Sequence, residues 1–159
     1  MSGEVRIARS VEETERLGEA LAPALATGDV LALTGDLGAG KTRFVAGLAR
    51  GLRCKARVRS PSFAIVNEYH GARLLLHLDL YRLDTVDAES LGLEEYAERG
   101  VLVVEWGERL PASWRGEALA LKFETVDAAT RRLTAHASAG RGLALLAAWR
   151  ALPVPEAAR

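Results

Sequence analysis

Glutamine is absent from this chain, cysteine occurs once, at Cys54, and lysine stands only at positions 41, 55 and 122. A lone cysteine excludes an intramolecular disulfide and a cysteine-built metal site, and leaves Cys54 as a small apolar residue. An excess of either charge is also missing, since 21 basic residues balance 21 acidic ones. No overall field therefore draws the chain to DNA or to an anionic membrane, and any such contact must be local. No apolar run approaches the roughly 18 residues of a membrane span, and no charged-then-apolar leader opens the chain. The expectation is a cytoplasmic protein with neither a membrane nor a DNA partner. The three histidines, His70, His77 and His136, lie in strand-like segments without metal-ligand spacing, and are expected to be structural.

Nearly half of the 159 residues are hydrophobic, enough for one domain with a proper core, expected over residues 1–152 with a frayed tail over 153–159. Within it, Gly35 to Thr42 reads G-D-L-G-A-G-K-T, a complete G-x-x-x-x-G-K-[ST] phosphate-binding loop. The apolar run Asp29–Thr34 precedes it and the helix-like stretch Arg43–Arg50 follows, which is the strand, loop and helix setting the motif requires. Gly35, Gly38 and Gly40 permit positive φ, so successive N–H groups can form a concave nest for phosphate oxygens, backed by the helix dipole. Lys41 is placed to reach the β- and γ-phosphates, and the Thr42 hydroxyl is suited to Mg²⁺. With no N-K-x-D tetrapeptide to read guanine, ATP is expected rather than GTP.

The remaining pattern alternates strands and helices. Glu4–Ala8 is a short first strand. Ser10-Val-Glu-Glu13 fits a capping box, opening a helix to about Leu25 whose Val11, Leu17, Leu21 and Leu25 share one face. Arg53, Lys55, Arg57 and Arg59 recur at every second residue, and in an extended segment they would project from one side, either as a solvated edge or as a surface for a polyanion or an acidic partner. Phe63–Tyr69 and Arg73–Leu78 suggest a hairpin. Asp87–Arg99 is helical with Gly100 as its stop, and Val101–Glu105 has the continuous apolar character of a strand buried on both faces. Glu117–Val126 and Arg131–Ser138 form a second hairpin, and Leu143–Leu152 is a last helix. The fold class is therefore α/β: a P-loop NTPase-type mixed, partly parallel sheet flanked by helices, with added β-hairpins.

Ligands in such sheets sit beyond the carboxyl ends of the strands, so acids that end strands carry weight. Asp79 and Glu105 each end an apolar run. One is expected to serve the metal and the other a water or the outer metal shell. Trp106 is placed either to cover the nucleotide or to fill the core. Ser60 and Ser62, in a proline-braced turn, stand where a γ-phosphate sensor lies in switch-type NTPases.

The combination of Gly35–Thr42, Ser60-Pro-Ser-Phe63, Asn67-Glu-Tyr69, His77-Leu-Asp-Leu-Tyr-Arg-Leu83 and Glu105-Trp106 resembles the bacterial TsaE family of small ATPases, in order from about Ser10 to Leu110. The resemblance implies an ATPase serving N6-threonylcarbamoyladenosine formation on tRNA. Such a protein does not transfer the group itself, but docks on the TsaB–TsaD heterodimer and resets it, meeting tRNA through the complex. It implies that Gly38, Ala39, Gly40, Lys41, Thr42 and Arg43 wrap the phosphates and that Thr42 and Glu105 ligate Mg²⁺. Asp79 would be the acid needed for hydrolysis, with Lys41 assisting at the phosphates, and Trp106 the aromatic at the nucleotide. Val11 would line the adenine side and Arg131 would reach the nucleotide from the C-terminal hairpin. Arg43 and Ala46 depart from the family's usual residues after the loop, and Ser62 replaces a threonine while keeping the hydroxyl. The alternative is a small-molecule kinase on the same fold, since the loop alone does not distinguish water from an alcohol acceptor.

Overall fold

A computed structural model describes residues 3–59, 61, 66–81 and 91–153. Seven strands form one sheet in the order β1-β7-β6-β2-β5-β4-β3. They are β1 (Glu4–Ala8), β2 (Val30–Thr34), β3 (Val66–Tyr69), β4 (Leu75–Asp79), β5 (Val101–Glu105), β6 (Leu119–Thr125) and β7 (Arg131–His136). The middle of the sheet is parallel, β2 pairing with both β5 and β6 and β4 pairing with β5. Both edges are antiparallel, where β3 returns on β4 and β7 pairs with β6 and β1. The partly parallel sheet with added hairpins is thus as expected from the sequence.

Strand alternation divides the core into two layers. Leu31, Leu33, Leu75, Val101 and Val103 face α1 (Val11–Leu21), α2 (Lys41–Gly51) and α5 (Gly140–Arg150). Val30, Ala32, Leu76, Leu78, Leu102 and Val104 face the other way, toward Leu93 on α3 (Leu93–Arg99), Leu110, and Trp114 on α4 (Ala112–Arg115). Residues buried on both faces explain why β5 reads as a continuous apolar run.

Helices α1 and α2 approach closely because glycines face each other's backbone. A Cβ on Gly47 would lie 1.9 Å from the Glu15 carbonyl oxygen, and one on Gly18 would lie 2.4 Å from that of Phe44. This contact carries the first turn of α1 over the loop that starts α2.

Four expectations change. Helix α1 ends at Leu21 and passes into a 3₁₀ turn, Ala22–Ala24, because Pro23 has no N–H to continue the ladder. The Ser10 hydroxyl caps Glu13 N–H at 3.1 Å as expected, but the Glu13 carboxylate accepts from Arg9 N–H at 3.2 Å, one residue before the reciprocal capping-box position. Val11 does not share the buried face of Leu17, Leu21 and Leu25, being 46% exposed. The last helix begins at Gly140, three residues earlier than its apolar pattern. The expected segments at Ser60, 62–65, 82–90 and the tail from 154 lie outside the described residues.

Candidate functional site

The strand β2 and helix α2 bracket the loop as the motif demands, with Gly35, Gly38 and Gly40 at φ of 138°, 80° and 101°. A Cβ at Gly38 would meet nothing within 4 Å, so the backbone there faces open space, whereas one at Gly35 would strike the Phe123 carbonyl oxygen at 2.5 Å. The loop therefore needs glycine at Gly38 for its left-handed turn, and at Gly35 for its seat on β6 as well.

A cleft of about 460 Å³ opens above the loop, and Val11, Gly38, Gly40, Lys41, Thr42 and Arg43 line it. So do Asp79, Glu105, Trp106 and Arg131. Of the described residues that the family resemblance assigns to nucleotide or metal, only Ala39 is outside this lining. Its side chain is buried in the core and its N–H closes a turn on the Asp36 carbonyl at 3.1 Å.

Register explains how two distant acids meet. Asp79 and Glu105 are direct partners at the carboxyl ends of the parallel strands β4 and β5. By alternation both point to the face covered by α2. The Thr42 hydroxyl donates to Glu105 Oε2 at 3.2 Å, and His77 Nε2 approaches the same oxygen at 2.5 Å. His77 is fully buried, and its Nδ1 makes no hydrogen bond. The expectation that His77 is merely structural is thus incomplete, for it holds the carboxylate that faces Thr42. The signal was its place two residues before Asp79 on one strand, which puts both on one face.

Lys41 is 4% exposed; its ammonium donates to the Gly35 carbonyl and lies 4.8 Å from the centre of the Trp106 ring. Trp106 has a left-handed backbone, φ 60°, unusual for a bulky residue and a mark of local strain. It is wedged between Tyr81, with ring centres 5.0 Å apart, and the Arg109 guanidinium at 5.4 Å. Arg109 also donates to the Leu80 and Tyr81 carbonyls. The indole is half-buried and packs on the core, one of the two roles left open by the sequence, and it also lines the cleft.

Burial raises the Asp79 carboxyl above its ordinary value, and neighbouring Glu105 adds to this; the Tyr81 N–H, His77 and Lys41 oppose it. Arg131 donates to the carbonyls of Asp127, Ala128 and Thr130, and to Gly38 at 3.3 Å, tying the β6–β7 turn to the loop. The sequence also missed Leu37, Ala128 and Ala129, which complete the cleft wall and carry no motif.

Comparison with known proteins identifies the family. A family model described as "Threonylcarbamoyl adenosine biosynthesis protein TsaE" matches residues 8–133. A Synechocystis protein called tRNA threonylcarbamoyladenosine biosynthesis protein TsaE is 48% identical over 104 residues, or 62% of this chain and 66% of its own length, just under two thirds. A Bacillus subtilis protein of the same name is 39% identical over 132 residues, covering 82% and 83% of the two chains. The crystal structure of Bacillus subtilis YdiB superposes with a TM-score of 0.76 at 35% identity, covering 94% of this chain and 96% of that one.

Proposed function

The chain belongs to the TsaE family of threonylcarbamoyl adenosine biosynthesis proteins, and from that premise we propose that it is a Mg²⁺-dependent ATPase. Its intrinsic turnover is slow, and it acts in the cytoplasm on a TsaB–TsaD complex, reaching tRNA through that complex. The observation that carries this is the pairing of Asp79 with Glu105 at the ends of adjacent parallel strands, both in the cleft that holds Lys41 and Thr42.

The residues suit the parts they would play. A triphosphate in the loop would meet the N–H groups of Gly38 and of Gly40 to Thr42, and Lys41 would exchange the Gly35 carbonyl for phosphate oxygens. Thr42 and Glu105 offer a hydroxyl and a carboxylate 3.2 Å apart, a hard oxygen pair of the kind that, completed by phosphate oxygens and water, suits Mg²⁺. When bound, Mg²⁺ would neutralise charge on the β- and γ-phosphate oxygens. Asp79 sits beside that pair with a raised carboxyl, a better proton acceptor than an ordinary aspartate. As the oxygen of water bonds to the γ-phosphorus and the bond to the ADP oxygen breaks, Asp79 takes the proton. Val11 lines the same cleft and would be the residue to meet the adenine.

Slow intrinsic turnover is supported by Arg131, whose guanidinium is committed to four carbonyls. A charge-stabilising group brought by a partner is worth about 10³ to 10⁵ in rate. The test is ATP hydrolysis with Mg²⁺, by the chain alone and with a TsaB–TsaD pair, using Lys41→Ala as the blank. Strong stimulation by the pair is expected. Fast hydrolysis that the pair leaves unchanged would overturn the proposal.

A further inference from the structure

The alternating cations after α2 take no part in the cleft. Arg53, Lys55, Arg57 and Arg59 are all exposed, and none makes an ion pair among the described residues. The segment is not a strand, since Arg53 has a left-handed φ of 61°. It is nevertheless held in place. Cys54 and Val58 pack inward against the core, which turns the cations between them outward. One end is fixed by Ala72 N–H on the Leu52 carbonyl at 2.7 Å. At the other, the Tyr69 hydroxyl accepts from Arg59 N–H at 3.1 Å and donates to the Arg59 carbonyl at 3.0 Å, and Asn67 donates to the same carbonyl.

The acids on the bordering elements are already engaged. Glu15 and Glu19 pair with Arg50, and Glu68 pairs with Arg99 at 2.6 Å. In a chain of zero net charge this leaves a fixed, uncompensated basic strip. It also carries no exposed large apolar residue; those of the described chain lie elsewhere, at Val5, Val11, Leu37, Tyr81, Val126 and Leu143. A protein interface needs an apolar centre, and single-stranded bases need aromatic platforms. A phosphate backbone needs only fixed cations.

We propose that the strip Arg53–Arg59 binds the phosphate backbone of folded RNA directly, without reading its bases. Because the four cations lie outside the nucleotide cleft, the idea stands or falls apart from the hydrolysis mechanism. Four phosphate contacts predict that affinity falls about a hundredfold between 50 and 200 mM salt.

The test is fluorescence anisotropy of a labelled tRNA transcript with the purified full chain, without partner proteins, across that salt range. A triple charge reversal, Lys55→Glu, Arg57→Glu and Arg59→Glu, spares Arg53 because of its backbone. It should abolish the salt dependence and cost at least tenfold in binding at 50 mM, while nucleotide affinity and melting temperature stay put. If that variant misfolds, the pair Lys55→Gln and Arg57→Gln should halve the log–log salt slope. Absent or salt-insensitive tRNA binding, or binding the variants leave unchanged, overturns the proposal. So does equal or tighter binding to polyglutamate, which would make the strip a dock for acidic protein.

Discussion

The two ends of the cleft are built differently. At the phosphate end polar side chains are buried and bonded to one another: Lys41 is 4% exposed, Glu105 5% and His77 0%, with Thr42 and His77 sharing one carboxylate oxygen. Away from the acids the wall is apolar and open, with Val11 46% and Leu37 78% exposed. Burying charge is costly unless every partner is in place, so the phosphate end is preorganised for one kind of ligand. The base end makes no comparable commitment. On the proposed function, discrimination in this cleft would lie in phosphate and metal, and the base would contribute area more than recognition.

The comparison breaks most visibly if the phosphate end does not divide its labour. Asp79→Asn should lower hydrolysis by about 10²- to 10⁴-fold, the usual worth of a positioned proton acceptor, while nucleotide affinity stays within about threefold. Lys41→Ala should instead weaken ATP binding by roughly 10- to 100-fold, the loss of a charge-assisted bond. Titration calorimetry beside single-turnover hydrolysis separates the two. Equal loss of affinity in both variants would show that Asp79 holds ligand rather than water.

His77 tests whether the buried network is as tightly built as its geometry implies. His77→Leu keeps the volume but removes the donor from Glu105, and should cost about 1–3 kcal/mol of stability. It should also raise the Mg²⁺ concentration needed for half-maximal ATP binding. His77→Gln, which keeps an N–H at similar reach, should recover most of both; if the two variants behave alike, His77 only fills space.

What the sequence made legible follows the same division. The loop is contiguous and its glycines are forced by φ, so the phosphate end announces itself. Asp79 and Glu105 were visible as acids ending apolar runs, but their adjacency is a matter of register between strands 26 residues apart. His77's contact with Glu105 was hidden because that partner is long-range. At the base end Val11 was expected both in the helix's core face and at the adenine. The first does not hold, since Val11 is 46% exposed and lines the cleft. Leu37, Ala128 and Ala129 leave no trace in sequence because an apolar wall needs no particular residue. The basic repeat gave the right exposure from the wrong local structure: inward Cys54 and Val58 set the alternation, not a strand.

A smaller effect concerns pH. A carboxyl whose value is raised in the fold favours the fold while protonated; that contribution is present below the unfolded value and is lost as pH rises through the folded one. Burial is the main cause at Asp79, with Glu105 adding to it. At neutral pH the charged side chain therefore costs stability, and Asp79→Asn should melt higher at pH 7. The gain should be no more than about 2 °C, because the carboxylate is only half-buried and solvent screens it. It should shrink as the pH falls through the carboxyl's raised range, where the native residue takes up its own proton. A gain that grows on acidification would reverse the sign of the shift.

The smallest expected effect is the sharpest test of the open end. Val11 presents about half of its surface to the cleft, and Val11→Ala removes two methyl groups from the wall. At roughly 0.8 kcal/mol for a fully buried methylene, a half-exposed side chain that a base covers only partly should lose well under 1 kcal/mol, about two- to threefold in affinity. The loss should be the same for ATP and GTP, because an apolar wall has no donor or acceptor with which to tell the bases apart. Parallel titrations of both nucleotides against native chain and variant measure this directly. If Val11→Ala weakened ATP tenfold and left GTP unchanged, the base end would be a closed, selective pocket when occupied, and the first turn of α1 would have to move inward over the loop to make it so.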